Sequence, residues 1–308
     1  MRIVIVGSGG VGGYFGGVLA QAGYDVTLLA RGDHLAAIKA HGLKIETPDG
    51  AVLNPPIKAI GLDDSIDPCD LVVVAVKGWQ LDDAIPQIQK VSDENSVILP
   101  LLNGIDATDI LRAGLSDRQV ASGLCGIIAA IKEPGVISHI AVDPFLTFGV
   151  GSESNIPASS LEKIKSALET AGVNTQVSDD IELSMWQKFL FICPLSAVTS
   201  VARATIGKVR SIPETRELLH QCIDEVISVG CASEVELTDE HRCIVLEQIA
   251  NAPEDGTTSM QRDIIGSRRS ELETQLGAVI NRGVAHGLST PALSFAYSAL
   301  LPQELAVH

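Results

Sequence analysis

Several features are scarce in this chain, and each scarcity argues against a class of protein. The six cysteines form no C-x-x-C pair and have no histidine at metal-ligand spacing, which argues against disulfides and against a zinc site. The apolar runs, such as 71–76 and 97–102, are shorter than the ~20 residues of a membrane helix. Cations are also few, and the formal net charge of −16 disfavours binding to nucleic acid or to an anionic membrane.

What the chain has in quantity is apolar residues. They make up 46% of its 308 residues, enough for two domains with buried cores. Met1 leads directly into the first predicted strand, so we expect no signal peptide and a cytoplasmic location. The scattered cysteines are expected to be buried thiols. They are Cys69, Cys125, Cys193, Cys222, Cys231 and Cys243.

The first thirty-one residues carry the strongest motif. A short β-branched run over 2–6 predicts a buried strand, a helical pattern follows over 11–22, and 25–29 predicts a second strand. The turn between the first strand and the helix has the G-x-G-x-x-G spacing of dinucleotide-binding sites, where backbone N–H groups approach a pyrophosphate. The predicted cofactor loop consists of Gly7, Ser8, Gly9, Gly10, Val11 and Gly12.

The end of the second strand indicates which nicotinamide cofactor is bound. NAD sites usually have Asp or Glu there to accept hydrogen bonds from the ribose, whereas this chain has Ala30 and Arg31. A guanidinium matches a 2′-phosphate with two parallel donors, so NADP(H) is favoured. The alternative is that Arg31 is a solvated surface residue, with Asp33 close enough to pair with it or to cap a helix beginning at His34.

Two more buried strands end in polar residues. The run 71–76 is followed by Lys77, and the run 97–101 is followed by Asn103. Ligands of open α/β sheets bind beyond the carboxyl ends of the strands, so we expect Gly7, Arg31, Lys77 and Asn103 to converge. The alternatives are an ordinary surface lysine and a turn-forming asparagine before a glycine.

The remaining pattern predicts two domains. A hairpin is expected over 43–53, short antiparallel strands over 120–150, a helix over 158–171 and a strand over 173–177. Beyond Asp180 the pattern is helical. The predicted fold is α/β, with an NADP(H)-binding Rossmann-type doubly wound sheet over 1–178 and an all-helical substrate and dimerisation domain over 179–308. Its helices are expected over 181–200, 214–233, 238–250, 270–286 and 291–301.

Polar groups in the helical domain suggest chemistry. Lys188 lies in a strongly apolar context, and a partly desolvated lysine can donate a proton near neutral pH. The alternative is a surface lysine whose stem covers apolar neighbours. Glu271 is either a helix first-turn residue or a carboxylate facing a site, and composition leaves both open.

Taken together, these motifs resemble the ketopantoate reductases (2-dehydropantoate 2-reductases). The resemblance covers nearly the whole chain in the right order, and its W-x-K element, its S-M-x-x-D element and the later glutamate are specific to that group. It rests on the loop 7–12, Arg31, 76–80, Asn103-Gly104, Ala129 before Gly135-Val136, Trp186-x-Lys188, Ser259-Met260-x-x-Asp263 and Glu271.

The resemblance implies NADPH-dependent reduction of 2-dehydropantoate to pantoate, a step towards pantothenate and coenzyme A. By this carry-over Lys188 donates the proton and Asn103 holds substrate and nicotinamide together. Lys77, Ala129 and Glu271 would contact the cofactor. Ser259, with its neighbours 256–258, would bind the substrate carboxylate.

The sequence departs from the family pattern near the substrate. Relatives close to the enteric enzyme carry asparagines at the positions of Ile192, Ser196 and Ile206, where they hydrogen-bond the substrate. Isoleucine offers no hydrogen bond, so Ser196 is expected to supply part of the polar contact. Leu276 before Gly277 replaces a frequent asparagine and is expected to be structural.

Three functions are compatible with these residues. The first is ketopantoate reduction, the second is reduction of another 2-oxo acid or small ketone on the same scaffold, and the third is an NADP(H)-binding sensor without turnover. The presence of both Lys188 and Glu271 argues against the sensor, since cofactor binding alone does not need the lysine. The expected partners are a small 2-oxo acid and a second copy of the chain in a homodimer, with no metal ion.

Overall fold

The computed structural model describes residues 1–115, 119–151 and 154–307, and the chain divides into two units. The first unit comprises Met1–Leu102 and Ala107–Ile181, and the second comprises Asn103–Asp106 and Glu182–His308. The tetrapeptide Asn103–Asp106 therefore belongs to the second unit, although the residues before and after it belong to the first. The sequence pattern, which places one boundary near residue 178, gives no sign of this excursion.

The first unit contains the strands. Those among the described residues are β1 (Arg2–Val6), β2 (Asp25–Leu29), β3 (Lys44–Glu46), β4 (Val52–Leu53), β5 (Lys58–Ile60), β6 (Leu71–Val74), β7 (Val97–Pro100), β8 (Gln119–Val120), β9 (Ser122–Glu133), β10 (Val136–Gly149) and β11 (Asn174–Val177). Six of them form a parallel sheet in the order β5-β2-β1-β6-β7-β8. Its central strands β1, β6 and β7 are buried almost throughout, as expected for a parallel sheet covered on both faces. The predicted Rossmann-type architecture is confirmed.

Helices connect these strands. In the first unit they are α1 (Gly10–Gln21), α2 (Gly32–His41), α3 (Leu81–Val91), α4 (Ala107–Gly114) and α5 (Ala158–Thr170). The first helix ends before Gly23, whose φ of +92° suits glycine. The predicted cap at Asp33 is wrong, because α2 begins at Gly32 and Asp33 lies inside its first turn.

A second sheet belongs to the same unit. It has the order β11-β10-β3-β4, and β9 pairs antiparallel with β10. The predicted 43–53 hairpin is confirmed, since β3 and β4 pair antiparallel. The antiparallel pairing predicted over 120–150 is confirmed, but the strands are not short. Two long strands turn at Gly135, and β10 continues past Pro144 because its pairing with β9 shifts register between Ala141 and Phe145.

The second unit is helical. Its helices are α6 (Ile181–Ala202), α7 (Ile206–Ser211), α8 (Pro213–Ala232), α9 (Asp239–Asn251), α10 (Ser259–Ile265), α11 (Ala278–Ala285) and α12 (Pro291–Leu305). The predicted single helix over 270–286 is wrong: a π-helical turn, Glu273–Gly277, precedes α11. The sequence pattern also missed the short helices α7 and α10.

The central helix of this unit is α6. By length and composition it is the one helix among the described residues that could cross a membrane, although 67% of its apolar window is buried. Trp186, Phe189 and Cys193 from α6 pack with Val226 of α8 and Leu293 of α12 in one core. This packing accounts for its apolar composition.

The cysteines are free thiols in two environments. Four are buried as predicted, but Cys231 and Cys243 are exposed on α8 and α9, so the expectation that all six are buried is wrong. Burial raises the pKa of the Cys193 thiol well above its ordinary value and that of Cys222 to about 12. Both thiols therefore stay protonated.

Candidate active site

The glycine loop follows β1, and most of its glycines are required by neighbouring atoms. A Cβ on Gly7 would lie 2.7 Å from the backbone of Ala75, and one on Gly12 would lie 2.0 Å from the Gly7 carbonyl oxygen. Gly9 differs, because a Cβ there would meet nothing within 4 Å and its φ of −71° is open to any residue. Protein packing gives no reason for this glycine. Close approach of a ligand to the backbone would explain a glycine here, as it does at pyrophosphate-binding loops.

Ala129 lies beside this loop. A Cβ on Gly10 would come within 2.2 Å of the Ala129 carbonyl oxygen, so β9 packs directly on the start of α1. Ser8 is buried in the loop, and Val11 lies in the first turn of α1, whose N-terminus supplies unpaired donors. The residues of this loop therefore fit the diphosphate group of a dinucleotide cofactor.

The sheet register brings further predicted residues to the same edge. Val6 of β1 pairs with Leu29 of β2 and with Val74 of β6. Gly7, Arg31 and Lys77 each follow one of these three adjacent strands. Arg31 is exposed at the residue that precedes α2. The ammonium group of Lys77 lies 5.7 Å from the ring centroid of Trp79.

His34 links α2 to the turn between β9 and β10. The backbone N–H of Gly135 donates to His34 Nδ1 at 3.0 Å, so this nitrogen must be unprotonated. Burial lowers the pKa of His34, and the nearby Ser8 backbone acts in the opposite direction with a smaller effect.

We therefore expect the protein to lose stability as the pH falls below about 6.5, because the unfolded chain then binds a proton that the folded imidazole resists. Above that value the contribution is fully present. His34→Gln keeps an acceptor for Gly135 and should flatten this dependence by up to about one proton taken up on unfolding. Melting temperatures of both proteins from pH 5 to 8 provide the measurement, and parallel curves would contradict the expectation.

In the second unit, three polar side chains from distant positions form a chain of hydrogen bonds. Lys188 Nζ on α6 donates to Asn103 Oδ1 at 3.1 Å, and Asn103 Nδ2 donates to Glu271 Oε2 at 3.5 Å. Glu271 is only 4% exposed, whereas Lys188 and Asn103 are half-buried. The asparagine thus aligns an ammonium group with a buried carboxylate.

The tetrapeptide that carries Asn103 is itself firmly held. Gly104 has a φ of +113°, and a Cβ there would lie 2.9 Å from the Thr274 carbonyl oxygen. Ile105 is buried in the helical core, and Arg282 donates to Asp106 Oδ1 at 2.6 and 2.9 Å. These contacts fix the Asn103 amide.

Further along α6 the predicted substrate residues occupy different environments. Ser196 is completely buried, and its Oγ has no hydrogen-bond partner among the described residues. Ile192 is half-buried, and Ile206 at the start of α7 is buried with its N–H donating to the Gly256 carbonyl at 2.9 Å. Ser259 is half-buried at the first position of α10, where Thr258 is the N-cap.

Sequence reasoning missed Gln275. It is fully buried in the π-helical turn, and neither of its side-chain amide atoms has a partner within the described parts of the chain. The Gln275 backbone N–H donates to the Glu271 carbonyl at 3.0 Å, and the Cys193 thiol donates to the Gln275 carbonyl oxygen at an Sγ–O distance of 3.7 Å. The sequence signal for Gln275 was a glutamine among apolar residues. Its burial could not be predicted from helical periodicity, because it lies in a π-helical turn rather than a regular α-helix.

Residues 1–115, 119–151 and 154–307 contain no cluster of three or more His, Cys, Asp or Glu side chains suited to a metal ion.

Comparison with known proteins agrees with both units. The family profile described as ketopantoate reductase PanE/ApbA matches residues 3–153, and its C-terminal counterpart matches residues 180–304. An uncharacterized oxidoreductase, YkpB of Bacillus subtilis, is 30% identical and the match covers 97% of this chain and 98% of that protein. A 2-dehydropantoate 2-reductase of Halobacterium salinarum is 28% identical, with 95% of each chain covered.

Among solved structures, D-mandelate dehydrogenase in ternary complex with NADH and anilino(oxo)acetate has the same fold. The TM-score is 0.90 at 22% identity, over 99% of both chains. The two family profiles together cover most of the chain, and each matches one of its two units. The chain is therefore an oxidoreductase that belongs to the ketopantoate reductase family.

Proposed function

We propose that the chain reduces the keto group of 2-dehydropantoate to the alcohol of pantoate, with NADPH as reductant, and so serves pantothenate and coenzyme A synthesis. The observation that carries this proposal is the hydrogen-bonded chain Lys188–Asn103–Glu271. A protein that only bound the cofactor would have no need of an ammonium group held in this way.

NADP(H) is the proposed cofactor, and when bound it supplies the hydride. The loop 7–12 and Ala129 fit the diphosphate by the packing described above. Arg31 favours a 2′-phosphate, because β2 ends without the carboxylate that would accept hydrogen bonds from the ribose. Lys77 adds a second cation at the same sheet edge.

Lys188 is the proposed general acid. As hydride reaches the keto carbon, the carbonyl oxygen gains negative charge, and Lys188 Nζ transfers a proton to it to give the hydroxyl group. Asn103 accepts a hydrogen bond from this ammonium group and so fixes its direction. Glu271 holds the other end of the same amide and, by family resemblance, also contacts the cofactor.

The substrate carboxylate is assigned to the residues around the start of α10. Ser259 offers a hydroxyl there, and its neighbours 256–258 lie in the preceding loop, where the Gly256 N–H already donates to the Pro253 carbonyl at 3.0 Å. Ser196 supplies a further hydroxyl from α6, in keeping with its unsatisfied Oγ.

A second candidate is a reductase of a more apolar 2-oxo acid. Ile192 and Ile206 favour it, because close relatives of the enteric enzyme use asparagine at both positions and an apolar wall leaves a substrate hydroxyl unpaired. The test is NADPH oxidation across a panel of 2-oxo acids that includes ketopantoate. The highest kcat/KM for ketopantoate supports the first proposal, and a higher value for an acid without the hydroxyl supports the second.

The departures allow a sharper prediction. Ile192→Asn should raise kcat/KM for ketopantoate if the substrate hydroxyl or carboxylate lies against residue 192. The gain would be up to about 1–3 kcal/mol of transition-state stabilisation from a hydrogen bond to a charged group. Ile192→Val, which stays apolar, should leave kcat/KM nearly unchanged. If Ile192→Asn instead lowers both the melting temperature and kcat/KM, and the wild type prefers a more apolar 2-oxo acid, the amide is unpaired and ketopantoate is not the native substrate.

We place the protein in the cytoplasm and infer a homodimer formed through the helical unit. Val284 on α11 and Phe295 on α12 are apolar side chains that are 72% and 62% exposed, and their burial against a second copy would be favourable. Light scattering of the purified chain tests this inference, and a monomer at micromolar concentration would contradict it.

A further inference from the structure

The last helix is bonded to the segment that carries Glu271. Both carboxylate oxygens of Glu304 on α12 accept from the backbone N–H of Ser270, at 3.0 and 3.1 Å, and Ser270 Oγ donates to Oε2 at 2.6 Å. Ser270 and Glu304 are 3% and 8% exposed. Burying a carboxylate costs free energy unless hydrogen-bond donors surround it. The position of Glu304 is therefore tied to the donors of Ser270.

The same helix holds the segment on the far side of Glu271. Tyr297 Oη donates to Glu273 Oε2 at 2.6 Å, and this bond raises the pKa of Tyr297 to about 12, so the hydroxyl remains a donor. Within the segment, the Leu272 N–H donates to Ser270 Oγ at 3.2 Å. Residues on both sides of Glu271 are therefore fixed by α12.

We propose that Glu304 is a positioning residue for Glu271, and through it for Asn103 and Lys188. This inference rests on the proposed function of those three side chains. The hydrogen bonds of Glu304 described here go to Ser270, which is not one of the reacting groups assigned above. It sets the backbone position of residue 270, and the Glu271 carboxylate must reach Asn103 from the next residue.

The structure offers a matched control at the other end of α12. Glu225 on α8 accepts from the backbone N–H groups of Ala292 and Leu293 at 2.7 and 2.9 Å. Glu225 is half-buried, whereas Glu304 is buried, but like Glu304 it ties α12 to a neighbouring element, and burial raises its pKa. The segment it holds is the first turn of α12, away in sequence from the 270–277 segment.

The test is a double-mutant cycle of Glu304→Gln and Glu271→Gln, with Glu225→Gln as control. A glutamine amide nitrogen cannot accept from Ser270, so one bond is lost while volume is kept. In the wild-type background Glu304→Gln should lower kcat/KM, measured on whichever acid of the panel is best reduced, by about ten-fold. In the Glu271→Gln background, Glu304→Gln should lower kcat/KM by less than about two-fold. The melting temperature should fall equally in the wild-type and Glu271→Gln backgrounds. Glu225→Gln should lower the melting temperature and leave kcat/KM unchanged.

Three outcomes overturn the inference: equal losses of kcat/KM from Glu304→Gln in both backgrounds, an equal loss from Glu225→Gln, or no effect of Glu271→Gln itself. If the wild type reduces no acid of the panel, the proposed function fails, and the same cycle is then read on the Kd for NADPH. Should Glu304→Gln prevent folding, Glu304→Asp keeps the charge and shortens the reach, and the same cycle applies to it.

Discussion

Replacing Lys188 with alanine should lower turnover by about 10²-fold or more, since general acid catalysis contributes on that scale. The KM and Kd for NADPH should change little, because the lysine is assigned to the keto oxygen and to Asn103. Steady-state kinetics with ketopantoate, together with a separate NADPH titration, measure the two effects independently.

Two controls distinguish this result from general damage to α6. Lys188→Met keeps much of the stem volume and should lose as much turnover as Lys188→Ala, while the melting temperature stays closer to that of the wild type. Lys208→Ala removes an exposed lysine of α7 and should leave turnover unchanged. If turnover survives in both Lys188 variants, the proton comes from another group and the mechanism is wrong.

Arg31→Ala should raise the KM for NADPH ten-fold or more, which corresponds to about 1.4 kcal/mol for a lost charge-assisted phosphate contact. Any activity with NADH should remain nearly unchanged, because NADH has no 2′-phosphate. The measurement is kcat/KM with both cofactors at fixed ionic strength.

Lys39 provides the matched control for Arg31. It is an exposed cation on α2, the helix that Arg31 precedes, and its Nζ lies 3.6 Å from Asp64 Oδ2. Lys39→Ala changes the net charge by the same amount. This variant should leave the NADPH-to-NADH ratio as it is. Equal losses with both cofactors in Arg31→Ala would show that the arginine does not recognise the phosphate.

The parts of the fold that could be predicted are those with local determinants. The bounds of β1 and β2 follow from short β-branched runs that end in glycine or polar residues, and the loop between them from the spacing of its glycines. The long strand β10 could not be predicted, because a pairing irregularity far from any turn allows it to pass Pro144. The π-helical turn before α11 likewise has no sequence period of its own.

The candidate site shows the same limit. Lys188, Asn103 and Glu271 could each be singled out from neighbouring residues or from resemblance, but their mutual hydrogen bonds depend on contacts across 85 and 168 positions of sequence. Glu304 carries no motif, and its role becomes visible only through the donors of Ser270.

The tetrapeptide Asn103–Asp106 also limits how the chain can be divided into fragments and affects the order in which its contacts form during synthesis. A fragment that begins at Glu182 would contain every helix from α7 onward, yet it would lack the amide that receives Lys188 and the carboxylate that receives Arg282. During synthesis these four residues leave the ribosome before α6 does, so their contacts with Lys188 and Arg282 can form only after the later helices have emerged. In the folded chain Gly104 has a backbone conformation that few other residues adopt. A chimera that joins these helices to another nucleotide-binding domain will therefore need this short peptide transplanted with them.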